Sequence, residues 1–255
     1  LDRAPEDNNV RNNLGVLYAE RQDWVLARDA FIAAVQAAPH EADYHRNLAL
    51  VLAHLDSHEL AVSEFQAYQR LAPDGGPDAW RLMGEAMKQV GQHEEARQAF
   101  AKGLDEVAAD HADERMRLVL AWAALEEEQG KPDVARDLLE RRVDDARRQI
   151  AAADAEADST AAKPARLLIG RLLTGYIADA NLLMQSDLPV EAAALYAKAF
   201  ALAPERDDAL AGSVAAYLAA GDKERAREVA ERATAEHPRV SGSWFAAGRV
   251  AEDAG

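Results

Sequence analysis

Asn13-Leu14-Gly15-Val16-Leu17-Tyr18, followed by Ala27, Phe31, Ala34 and Pro39, returns as Asn47-Leu48-Ala49-Leu50-Val51-Leu52, followed by Ala61, Phe65, Tyr68 and Pro73. Each position lies 34 residues further on, from Asn13 to Asn47 and from Pro39 to Pro73. A fixed period of a few tens of residues is the mark of a stacked array, in which each unit shelters the apolar face of the next. Between the punctuating residues, apolar positions recur at three and four. Leu14, Leu17 and Tyr18 do so, as do Leu48, Val51, Leu52 and Leu55, so each stretch reads as one face of a helix.

The pattern continues along the chain. Trp80, Gly84, Ala96 and Phe100 give a third copy, one residue late. Trp122, Ala123, Gly130, Ala135 and Leu139 give a fourth. Tyr176, Ala180, Ala192, Tyr196, Ala199 and Pro204 give a fifth, and Tyr217, Gly221, Ala226, Ala233 and Pro238 a sixth. Trp244 and Gly248 begin a seventh that has only its first half.

Small residues at Gly15, Ala49, Gly84 and Gly248 let the first helix of a pair approach its neighbour, as the alanine column from Ala27 to Ala226 does from the second. Gly91, Gly130 and Gly221 fall between helices, where a turn needs positive φ. Pro39, Pro73, Pro204 and Pro238 stop the second helix, because proline lacks the N–H and clashes with the preceding turn.

These residues resemble the tetratricopeptide repeat family, whose pattern is W-x2-L-G-x2-Y, then A-x3-F, then P. The resemblance covers about residues 8 to 255, and Arg11 and His45 stand where the first tryptophan of a copy falls. It implies an all-α fold, a right-handed α-solenoid of antiparallel helix pairs. The expected organisation is a polar lead-in over 1–7, repeats one to four over 8–150, a linker or insertion over 151–163, and repeats five and six plus the first helix of a seventh over 164–255. The second helix of the fourth copy should be long, since Pro132-Asp133 opens it and no breaker appears before Asp158-Ser159-Thr160. A new helix should begin near Pro164 and run to Gln185.

Composition narrows the function. The net charge of −16 argues against a nucleic-acid partner, which needs clustered Lys and Arg. There is no cysteine, hence no disulfide framework or thiol chemistry. The uncharged apolar stretches read as too short to cross a bilayer, so direct membrane insertion is not expected. A chain that begins at Leu1 reads as a piece of a longer one, and a cytoplasmic or periplasmic location both stay open.

No catalytic motif is present: no G-x-S-x-G, no phosphate-cradling glycine loop and no H-E-x-x-H. His54 and His58 are four apart with a turn expected between them, so no metal site is expected there. Glu126-Glu127-Glu128 reads as a solvated helix end. Neither catalysis nor a cofactor is expected.

What remains is a surface. The resemblance implies that the first helices line a concave groove, with Asn9, Asn12 and Asn13 from the first copy, Arg46 and Asn47 from the second, and Arg81, Glu85 and Lys88 from the third. Asn13 and Asn47 share one column, and carboxamides that both donate and accept suit the amides of an extended peptide. The family's carboxylate clamp is matched only at Asn47, because Asn12 and Asp78 stand where its lysines fall. Leu120, Ala124, Ile177, Met184 and Leu218 would make the later groove apolar and suited to an amphipathic helix.

The expected function is a protein-binding scaffold that takes a peptide or helix of a partner, with a homo-oligomer possible in principle. Two alternatives stay open: a periplasmic repeat module of a bacterial secretion, exopolysaccharide-export or envelope-assembly protein, and a regulatory segment of an enzyme whose catalytic domain lies elsewhere.

Overall fold

The computed structural model describes residues 5–73, 77–108, 111–156, 162–239 and 241–253. Fourteen helices and no strand occur among them. They fall into two compact units, Leu1–Asp145 and Ala146–Gly255. The first holds α1 (Pro5–Glu20), α2 (Trp24–Ala37), α3 (Ala42–His54), α4 (His58–Leu71), α5 (Pro77–Gln89), α6 (His93–Glu106), α7 (Ala112–Glu128), α8 (Pro132–Glu140) and the start of α9 (Val143–Ala155). The second holds the rest of α9, then α10 (Lys163–Gln185), α11 (Pro189–Leu202), α12 (Asp207–Ala219), α13 (Lys223–Glu236) and α14 (Ser241–Asp253).

The pairing follows the repeat: α1 packs on α2, α3 on α4, α5 on α6, α7 on α8, α10 on α11 and α12 on α13. The alanine column explains the closeness. Ala27, Ala61, Ala96, Ala135, Ala192 and Ala226 are all buried, and the larger side chains one turn on, Phe31, Phe65, Phe100, Leu139 and Tyr196, fill the space beside them. The small column on the first helices receives those rings. A Cβ built on Gly84 would stand 2.6 Å from Phe100, and one on Gly15 would stand 2.6 Å from Phe31. Gly248 occupies the same column of α14, but an added Cβ there meets nothing within 4 Å, so it makes no close packing contact.

All six turns inside the pairs have one geometry. Asp23, Ser57, Gln92, Lys131, Leu188 and Asp222 each donate an amide to the carbonyl five residues back, at 2.8 to 2.9 Å. This is the closing bond of a Schellman motif, which needs a left-handed residue just before the donor. Glycine supplies it at Gly91, Gly130 and Gly221, with φ between 70° and 80°. The other three turns force Gln22, Asp56 and Asp187 into the same region, at φ 63°, 54° and 59°.

Three expectations need correction. α1 begins at Pro5, inside the stretch read as a lead-in over 1–7. The long second helix of the fourth copy is two helices, α8 and α9, separated at Arg141-Arg142. No breaker is needed there: the Arg142 amide turns to Leu139 three residues back, and this tightened turn ends α8. The segment 151–163 is not all linker, since α9 runs to Ala155, with Ala153 buried, and Lys163 already belongs to α10. By length and composition alone, α10 is long and apolar enough to cross a membrane, although Arg166, Arg171 and Asp179 interrupt its uncharged runs. α10 has 23 residues and a mean hydropathy of 1.3 over its most apolar stretch. Leucines lying at helical spacing escape a search for uncharged runs.

The Gly75-Gly76 pair, which from its place between Pro73 and Pro77 reads as a repeat junction, lies outside the described residues.

Candidate inner-face site

The first helices of the pairs in the N-terminal unit place the expected polar residues on adjoining turns. Tyr44 on α3 donates its hydroxyl to Asn9 Oδ1 on α1 at 2.7 Å. One turn on, Asn47 Nδ2 donates to Asn12 Oδ1 at 2.9 Å. The asparagines therefore couple neighbouring copies, and the rung is Asn12–Asn47. Asn13 is exposed and makes no polar contact among the described residues. Arg46 is half-buried beside Tyr68. Burial raises the Tyr68 phenol above its ordinary value, and the Arg46 charge partly offsets that.

On α5, Arg81 holds Glu85 at 2.8 Å and Asp78 at 3.4 Å. Lys88 crosses to α7 and pairs with Glu128 at 2.7 Å. Between them lies a cleft of about 440 Å³. Its apolar lining is Ala53, Leu82, Ala86, Ala121 and Ala124, from α3, α5 and α7, and its polar lining is Asp56, His58, Glu85, Lys88 and Gln89. The volume lies in the range of ordinary ligand sites, and the mix of an apolar lining with a few polar groups is typical of them. Of the residues expected from sequence, Glu85, Lys88 and Ala124 meet in this cleft. Asn47 and Arg81 stand elsewhere on α3 and α5, and Asn9 and Asn12 lie on α1, which does not line the cleft.

The expected apolar groove is less open than its composition suggests. Leu120 is buried, so it is a core residue and not part of a groove. In the C-terminal unit, Ile177 and Met184 pack against the cluster of Ala180, Ala192, Ala193 and Tyr196, and Leu218 packs against Leu210 and Val214. Half-buried and committed to the core, they offer little free apolar surface.

His54 stacks on Trp24 with ring centroids 4.2 Å apart, while His58 faces Asp56 at 3.7 Å. No group of metal-ligating side chains occurs among the described residues. Glu126 is not solvated: it is 2% exposed and bonded to Arg97 and Trp122. Burial alone would raise its carboxyl. The Arg97 and Trp122 hydrogen bonds and the nearby Arg97 and Lys131 charges outweigh burial and hold it below the usual carboxylate range.

Stacked helix pairs that present a polar-rimmed cleft on their first helices define an interaction scaffold. Two tetratricopeptide repeat family models match, one over residues 1–42 and 12–76 and the other over 183–244. The chain belongs to the tetratricopeptide repeat family. Members of this fold serve protein–protein interaction. No curated protein matches the chain. Among solved structures, the Naa15/Naa10 assembly bound to HypK-THB is 19% identical with a TM-score of 0.53; the likeness covers 91% of this chain and 32% of that one. Pseudomonas aeruginosa PilF is 17% identical with a TM-score of 0.49, over 94% of this chain and 96% of that one. YrrB, a TPR protein with an unusual peptide-binding site, is 17% identical with a TM-score of 0.44, over 86% and 98%. At 19% identity the likeness to the Naa15/Naa10 assembly speaks to the fold alone.

Proposed function

We propose that the N-terminal unit binds an extended peptide segment of a protein partner along the inner helices α1, α3, α5 and α7. The observation that carries this reading is the cleft over Leu82 and Ala86, an apolar lining with charged and amide groups along it, which shares α3 with Asn47, the asparagine coupled to Asn12 of α1. A side chain of the peptide would enter the cleft, and Lys88, Glu85 and Gln89 would meet its polar neighbours. The free Asn13 carboxamide can both donate and accept, so it suits a peptide amide. Asn47 retains its carbonyl oxygen for the same purpose, its amide being given to Asn12. α10 belongs to the packing of its own unit on this reading, since Leu168, Leu172 and Tyr176 are buried along it.

The test is selection of dodecapeptides displayed on phage, followed by affinity measurement against Ala124→Trp, which fills the cleft from a half-buried position. Selected peptides should lose affinity for the variant while its helicity is unchanged. Peptides that bind both proteins equally place the site elsewhere.

A further inference from the structure

The C-terminal unit carries a second cavity, of about 540 Å³, lined by none of the inner-face residues above. Phe200 and Leu202 at the end of α11, Leu210 on α12 and Val229 on α13 give it an apolar wall. Its polar lining is Arg147, Ser213, Arg232, Glu236 and His237. Phe200 and His237 meet edge to face, with centroids 5.6 Å apart, which sets the aromatic corner of the cup. Arg147 on α9 donates to the Ala201 carbonyl, which holds its guanidinium at the rim. Arg232 is exposed and has no side-chain partner among the described residues.

Charge decides the occupant. The chain as a whole carries −16, yet here two guanidiniums face one carboxylate. A positive rim on an apolar cup, within an acidic protein, favours an apolar group with a carboxylate beside it and disfavours a basic one. We propose that this cup binds a segment of a protein partner in which large apolar side chains alternate with Asp or Glu. The apolar side chain fills the space against Phe200 and Val229. The adjoining carboxylate pairs with Arg232, whose planar fork matches a carboxylate in two hydrogen bonds.

The probe is a capped peptide, Ac-Gly-Ser-Glu-Leu-Glu-Phe-Glu-Gly-Ser-NH2, with a second peptide in which lysine replaces every glutamate. Each is titrated into the purified chain at low salt, and methyl resonances of the alanines and valines are followed. The glutamate peptide should shift Ala197, Ala201, Val229 and Ala233. It should bind about tenfold or more tightly than the lysine peptide, and Arg232→Glu should reverse that preference. Circular dichroism of the exposed Arg232→Glu variant should be unchanged. Equal binding of both peptides, no shift at these methyls, or an unaltered preference in Arg232→Glu overturns the proposal. Shifts confined to Ala53, Ala121 and Ala124 also overturn it, and leave the reading of the inner face standing.

Discussion

Arg97 on α6 grips Glu126 on α7 with two hydrogen bonds, Nε to Oε1 at 2.6 Å and Nη2 to Oε2 at 3.0 Å. The pair joins the second helix of one copy to the first helix of the next. The Trp122 indole adds a third bond at 2.8 Å, and the guanidinium also reaches Glu94 at 2.6 Å. Glu126 is buried, so its charge has no water to fall back on.

Breaking this pair from one side should therefore be costly. Arg97→Met leaves a buried carboxylate without its cation, a change that typically costs about 3–5 kcal/mol. The double variant Arg97→Met with Glu126→Leu should regain most of that loss. Urea unfolding of the two variants decides it, and equal stability of the single and double variants would show that the pair does not act as a unit.

The same carboxyl predicts a pH dependence. Its folded value lies below the unfolded one, because the Arg97 and Trp122 bonds outweigh the opposing effect of burial. The stability it contributes is fully present above the unfolded carboxylate range and is lost as pH falls through the folded value. Glu126→Gln should melt lower than the parent near neutral pH, with a difference that shrinks as the solution is acidified into and below that range. Melting temperatures recorded from pH 7 to pH 3 check it, and a constant gap would contradict the assignment.

Two glycines of one column should respond oppositely. Gly84→Leu drives a side chain into the Phe100 ring, 2.6 Å from where its Cβ would stand, and overpacking of this kind typically costs about 1–3 kcal/mol. Gly248→Ala meets open space in a helix, where alanine is favoured over glycine by roughly 0.5–1 kcal/mol. Thermal melts should move down for the first and stay level or rise for the second.

The stacked helix pairs were legible in the sequence because packing enforces the columns: an alanine at Ala61 or Ala96 and a ring at Phe65 or Phe100 recur wherever two helices must meet closely. The turn geometry was legible only where glycine marks it. Gln22, Asp56 and Asp187 adopt the same left-handed backbone, and nothing in their identities announces it. The break between α8 and α9 was hidden for the same reason, since Arg141 and Arg142 are good helix formers. Glu126 was misread because an acidic run looks solvated and its cation stands in the preceding copy. The Trp122 four residues before it was the available hint. His45 fills the tryptophan slot of its copy, buried between Glu64 at 2.6 Å and the Pro39 carbonyl at 3.1 Å, which no one-dimensional pattern would give. At the inner face, the column Asn13–Asn47 is visible in the sequence, but the bonded pair is Asn12–Asn47, a shift of one residue that the repeat pattern does not carry.

The asparagine pair should separate stability from binding. Asn12→Ala with Asn47→Ala removes one partly buried neutral hydrogen bond, worth about 0.5–1.5 kcal/mol. The variant should remain folded with a slightly lower melting temperature, and its affinity for phage-selected peptides should fall. Unchanged affinity would remove the asparagines from the binding surface.

Photo-crosslinking from inside the cleft tests the central claim most directly. Gln89 lines the cleft, whereas Gln98 is exposed on α6, a second helix of its pair. With p-benzoylphenylalanine installed at either position and the protein exposed to extracts of its native cells, the Gln89 probe should give a discrete protein adduct that Ala124→Trp abolishes. The Gln98 probe should give none. Adducts formed equally from both positions, or from Gln98 alone, would contradict binding at the inner face.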